Sequence, residues 1–326
     1  MTRPALRGAE VAGLGYAFTA MAAAMTLRTY CDAAFLSAQG TARLPHFFVA
    51  SSLATMALSA LYGAAVRRVR APALDATLAL AAAAIAFWAP QVEHTSPAAI
   101  FPVTVALIAL STIATLGAWN AVSACVDSRR ARRFLPLAGA AATLGAATGG
   151  ALATLLSARA GLDALPRLGA LLAVSLAAFP WLAAARATTP AAAPALPAES
   201  PAGRAHPVAW ADAAARRLVA LLVAVALVES LVGTLIDFQL KAALRDAYGR
   251  DAMGVFLGFF TAVTNVGVLA LQLFVVAPIF ARRGLAFSLA LHPIAVAAVA
   301  GAAVAVPHLG LERGARAADA LLKFTF

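Results

Sequence analysis

The chain has 326 residues, of which 63% are hydrophobic and only 12% charged, and its net charge is +11. A soluble domain carries about 25% charged residues, so this chain has too few to cover a water-facing surface. The composition excludes a soluble globular domain. The cations sit in short loops between apolar runs, so the positive charge is a membrane-topology signal and not a nucleic-acid footprint.

In chain order, apolar runs predict nine membrane-spanning helices, at roughly 10–30, 45–66, 73–92, 98–124, 135–156, 164–185, 217–240, 253–280 and 285–306. The first run is long enough to span and is kept as a helix, not as a cleaved signal peptide. A tenth helix begins near 314, and the sequence stops at Phe326. Twelve residues rising 1.5 Å each reach about 18 Å, short of the roughly 30 Å hydrocarbon core. The expectation is a fragment of a longer protein, truncated in its tenth helix.

Lys and Arg counts set the orientation. Alternate loops, with Arg3, Arg7, residues 67–70, 128–133, the 186–217 connection and Arg282–Arg283, hold 15 cations against 8 in the opposite set. This places the N-terminus in the cytoplasm, with the chain in the cell membrane. Residues 187–216 are Pro- and Ala-rich with no apolar periodicity, as in a cytoplasmic linker. The expected domains are a six-helix half (1–186), the linker (187–216) and an incomplete second half (217–326). The fold class is all-α integral membrane, a major-facilitator-like bundle of two halves rocking about a central site.

Two cysteines, Cys31 and Cys125, fall near opposite membrane faces, too far apart for a disulfide. Five scattered histidines have no ligand spacing, so no metal and no cofactor are expected. No GxxxxGK[ST] occurs, and no nucleophile–base pair appears, so the chain is not expected to be an enzyme. Gly145 with Gly149 and Gly254 with Gly258 form GxxxG pairs, expected to let helices pack closely. Asn265 and Gln272, seven apart, are expected to bond between helices.

Ionisable residues in apolar helices are expensive and carry the functional expectation. The first helix has Arg28 and Asp32 at i, i+4, and the seventh has Glu229, Asp237 and Lys241 within a sector of about 120°. The tenth begins with Arg316, Asp319 and Lys323, and the fourth offers Ser111, Thr112, Trp119 and Asn120. In a major-facilitator fold, helices 1, 4, 7 and 10 line the central cavity, an analogy at the level of fold alone. The expected pathway residues are Arg28, Asp32, Asn120, Glu229, Asp237, Lys241, Arg316 and Lys323. Lys241 is expected near the outer mouth, and the helices facing lipid are expected to be almost purely Ala, Leu and Val.

Several segments resemble the ATP/ADP translocase family of nucleotide transporters. They are TLRTYCDAAFLSAQGTARLPHFFVASSLATMALSALYG (26–63), RRFLPLAGAAATLGAATGGAL (132–152), LIDFQLK (235–241), FLGFFTAVTNVGVLALQLF (256–274) and RRGLAFSLALHPIAV (282–296). The resemblance implies a twelve-helix carrier exchanging ATP for ADP or another nucleotide. It carries over Arg28, Glu229 and Lys241 as residues that matter to transport. The expected function is therefore secondary transport of a nucleotide or other anionic solute across a bilayer. The alternatives are a generic carrier of an organic anion or drug, proton-coupled through Glu229, and a non-transporting membrane anchor or sensor. The sequence does not fix the oligomeric state.

Overall fold

The computed structural model describes residues 8–124, 126, 128–186, 213–272 and 274. Among these residues the structure is helical, with eight α-helices in order: α1 (Gly8–Gln39), α2 (Leu44–Ala65), α3 (Ala71–Thr95), α4 (Ile100–Ala124), α5 (Ser128–Ala160), α6 (Ala164–Arg186), α7 (Ala213–Ala247) and α8 (Arg250–Leu271). Seven of them are long and apolar enough to cross a membrane, and α6 has a shorter apolar stretch, Ala164–Phe179. Linker residues 187–212, the expected ninth and tenth helices and Cys125 lie outside the described residues, whereas 213–216, expected in the linker, form the first turn of α7. Cys31 is buried and free.

Side chains are distributed as lipid demands. Large apolar groups point outward, among them Leu53 and Leu61 on α2, Trp88 on α3, Leu171 on α6 and Leu227 on α7. Asp32, Asp75, Glu93, Asp237 and Lys241 are buried. Water would favour the opposite arrangement, because exposed apolar area costs about 25 cal/mol per Å². This is a membrane protein, and its polar groups face one another inside the bundle.

The first eight expected helices recur among the described residues, with α5 starting at Ser128, ahead of the expected 135, and two helices running past their expected ends. α1 runs to Gln39 and α7 to Ala247, well past the ends expected at 30 and 240. At 1.5 Å per residue α1 is about 48 Å long. Arg28 and Asp32 therefore lie two turns or more inside the helix, not at an end from which they would snorkel into headgroups. Gly40 (φ 71°) ends α1 and Gly161 (φ 78°) ends α5, both in the left-handed region that suits glycine after a helix C-terminus.

Four short connections, 40–43, 96–99, 161–163 and 248–249, gather at one end of the bundle. Gln39 donates to the Pro97 carbonyl at 2.6 Å, and the Leu162 amide donates to Asp251 at 2.9 Å. We call this the short-loop end.

Helix α1 is the centre, packed against α4, α5, α6 and α8. Small residues bring the helices together. A methyl group at Gly149 would fall 2.5 Å from the Ala22 carbonyl oxygen of α1, and one at Gly145 would overlap the Phe18 carbonyl. On another face of α5, a methyl group at Gly150 would lie 2.6 Å from the Ala262 nitrogen, and one at Gly258 2.6 Å from the Thr154 nitrogen. The two GxxxG pairs thus serve different seams. Gly145 and Gly149 join α5 to α1, while Gly254 and Gly258 join α8 to α5 around Ser157 and Gly150.

Gly149→Ala should lower stability by about 1–3 kcal/mol, because a backbone carbonyl cannot yield to the added methyl. Helix propensity alone would favour Ala by about 1 kcal/mol, so a loss shows that packing wins. Gly63→Ala is the control, with nothing within 4 Å of the new methyl. Thermal unfolding in detergent should show a lower midpoint for the first variant and none for the second; equal midpoints would dissolve the seam.

Candidate functional site

The site is built where α1 faces α7. Arg28 and Asp32 share one face of α1, and Asp237 and Lys241 one face of α7, each pair at i, i+4. Lys241 Nζ donates to Asp32 Oδ1 at 2.6 Å and pairs with Asp237 Oδ2 at 3.1 Å. The ring of Phe48 on α2 covers the same ammonium, 5.2 Å from its centroid. Lys241 is 1% exposed. It does not sit at an open outer mouth as expected, because two carboxylates and an aromatic face hold it inside the bundle.

Arg28 is placed differently. Its ion pairs are long, 3.9 Å to Asp32 Oδ2 and 4.0 Å to Asp237 Oδ2, beyond hydrogen-bond range. Its side chain is 51% exposed and borders a cavity.

A cavity of about 400 Å³ lies there, bordered by Arg28, Asp32 and Lys241, by Thr234 of α7, and by one face of α2. That size is within the range of small-molecule sites. On α2 the border is a row of hydroxyls, Ser51, Ser52, Thr55 and Ser59, with Phe47, Phe48 and Met56 beside them.

A second ion network closes the short-loop end. Arg250, at the first position of α8, grips Glu93 of α3 with two parallel bonds of 2.8 Å. It also reaches Asp163, in the α5–α6 connection, at 2.5 Å. Tyr30 of α1 donates to Glu93 at 3.0 Å, and His94 lies 2.9 Å from Asp163. Partial burial would raise the Asp163 carboxyl, but bonds from Arg250 and His94 outweigh it and hold the group below the usual carboxylate range. The network joins α3 and the α5–α6 connection to the start of α8.

A third cluster lies towards the other end of the bundle. Asp75, one turn into α3, accepts from the Tyr62 hydroxyl at 2.8 Å and lies over Gly117 of α4, where any side chain would collide with it. Asn120 hydrogen-bonds the same Tyr62 hydroxyl. Asn120 therefore belongs to this cluster and does not join the α1–α7 group, from which the length of α4 separates it. Ser111 and Thr112 return their hydroxyls to the Ile108 carbonyl.

Of the expected pathway residues, the structure brings together Arg28, Asp32, Asp237 and Lys241. Glu229 lies on α7, but its side chain is outside the described residues, as are Arg316 and Lys323. Among the described residues, Asn265 donates to the Thr261 carbonyl of its own helix at 2.8 Å and makes no bond to another helix. Sequence reasoning missed Asp75, Glu93, Asp163, Arg250 and the α2 hydroxyl row. α3, which was given no expected site residue, buries two carboxylates, Asp75 and Glu93. Among the described residues, no group of His, Cys, Asp and Glu could hold a metal ion.

No family model, curated protein or solved structure matches the chain.

Proposed function

We propose that the chain is a secondary carrier that moves an organic anion across a membrane by alternating access. The observation that carries this reading is a cavity in a lipid-adapted bundle bordered by Arg28, Asp32, Lys241 and a row of hydroxyls. Charged groups are costly in the interior, and intramembrane ionisable groups are characteristic of solute pathways. The plan of six helices, a long connection and a second set supports a two-half, major-facilitator-like arrangement, as does the glycine seam between α5 and α8. In this reading the short-loop end faces outward, the N-terminus is cytoplasmic and the carrier resides in the cell membrane. In this reading the bonds of Arg250 to Glu93 and Asp163 would hold the outward end closed.

Exchange of ATP and ADP is the finer form of the proposal and rests on the family resemblance. Arg28 is the cation with its donors turned to the cavity, so it would meet the anion, while Lys241 would hold the carboxylates in place. Proteoliposomes containing the chain should take up labelled ATP, faster when loaded with ADP, and Arg28→Gln should reduce the rate at least tenfold. No uptake of ATP, ADP or simple organic anions would defeat the carrier reading and favour a membrane anchor.

A further inference from the structure

We infer that Arg28 and Ser51 form a docking point for a single oxyacid group, a carboxylate or a phosphate, and that the α2 hydroxyl row receives an uncharged, hydroxyl-bearing body of the same solute. The inference rests on the carrier reading for its purpose but not for the binding itself, and it favours a solute with one acidic group over the ATP–ADP form of that reading.

Three observations converge on it. The first is the state of Arg28. Among the described residues its guanidinium makes no hydrogen bond, only the ion pairs of 3.9 and 4.0 Å. A guanidinium presents five donors in a planar fork that matches an oxyacid group.

The second is Ser51. It is 9% exposed, borders the cavity, and its Oγ has no hydrogen-bond partner. A buried hydroxyl left this way is rare and costs free energy unless something fills the place.

The third is the set of four hydroxyls that α2 brings to the cavity without a bond to their own backbone. Thr104, Thr112, Thr148 and Thr234 each return the hydroxyl to the carbonyl four residues back, at 2.7–2.8 Å. That is the ordinary fate of a hydroxyl in an apolar helix. Ser51, Ser52, Thr55 and Ser59 form no such bond, although all four border the cavity. Ser51, Thr55 and Ser59 are spaced by four, so they make one row about 12 Å long on a single face. Their donors and acceptors remain available to a ligand.

Charge decides how many acidic groups the site takes. Among the described residues of the α1–α7 group, two cations meet two carboxylates. Lys241 is committed to both carboxylates, so Arg28 alone can turn to a ligand. One oxyacid group uses that cation, and among the described residues a second would meet the carboxylates of Asp32 and Asp237.

The test is binding to the purified chain in lipid nanodiscs, with gluconate, citrate and ADP as probes of increasing charge. Gluconate should bind, and citrate and ADP should bind no more tightly. Arg28→Gln should weaken gluconate more than tenfold and Ser51→Ala about fivefold. Thr112→Ala, whose hydroxyl is bonded within its own helix, should change nothing. Binding of gluconate by the parent and the Ser51→Ala variant with equal affinity would overturn the inference, as would affinity rising tenfold with each added charge. Binding with these losses but no transport in proteoliposomes would support the subsite and defeat the carrier reading. Transport unaltered by both substitutions would do the reverse.

Discussion

Lys241→Met should be the most damaging single substitution in the described helices, lowering stability by about 3–5 kcal/mol. Asp32 and Asp237 would lose the ammonium they share, and Arg28 lies at 3.9 and 4.0 Å from them. Asp32 is 4% exposed, so water can do little to replace the lost ammonium. The intact group is not thereby shown to be worth that much, because desolvating four charges offsets most of their attraction. The cost belongs to the broken state. The double variant Asp237→Asn with Lys241→Met should therefore recover most of the loss, since Arg28 then faces one carboxylate and the group is neutral again. Thermal unfolding of parent, single and double variants separates these effects. A single variant as stable as the parent would mean that water fills the place of Lys241. A double variant worse than the single would mean that Asp237 has a further essential partner. The sequence implies a Lys241 near the outer mouth and paired with Asp237, and the structure adds Asp32 as its second carboxylate and buries it.

The reason for that difference shows what a sequence carries. The i, i+4 pairs Arg28–Asp32 and Asp237–Lys241 are legible because helix periodicity places them on common faces. Which two faces meet is a matter of packing, and Asp32 and Lys241 are 209 residues apart. The glycine pairs were legible as close-packing sites for the same local reason, but not which helix each would meet. Helix existence was well marked by apolar runs, whereas the ends of α1 and α7 were not, because charges paired inside the bundle look like interface residues. Arg250 was counted only as a topology cation. It belongs to the loop set with fewer cations, and a cation there opposes the orientation rule. Such a residue asks for a local partner, which is the one signal that could have pointed to Glu93 and Asp163. The α2 hydroxyls carried no signal at all, because Ser and Thr in apolar helices normally bond their own backbone.

Arg250→Ala should open the short-loop end. A cation at the first position of a helix opposes the helix dipole, so Arg250 is there at a cost that Glu93 and Asp163 must offset. The guanidinium is 26% exposed, so solvent screens part of its interactions, and about 2 kcal/mol is a fair discounted loss. That shifts a two-state equilibrium by roughly 30-fold, since 1.4 kcal/mol is a factor of about ten. Spin labels at Ser96 and Gly249 report the separation. The parent should show one short distance, and the variant a second, longer population. Arg250→Lys keeps the charge but not the two-pronged grip on Glu93, and should fall between them. Acid gives an independent handle on the same latch. The Asp163 carboxyl is held below its usual range, so its contribution is complete above the unfolded value of about 3.9. It is lost only as pH falls through the lower native value. The distance should hold from pH 8 to pH 5 and lengthen in stronger acid. An opening already at pH 6 would mean that another group governs the end. A distance unchanged in both Arg250→Ala and acid would assign the closure to the glycine seam of α5 and α8, whose backbone contacts neither treatment touches.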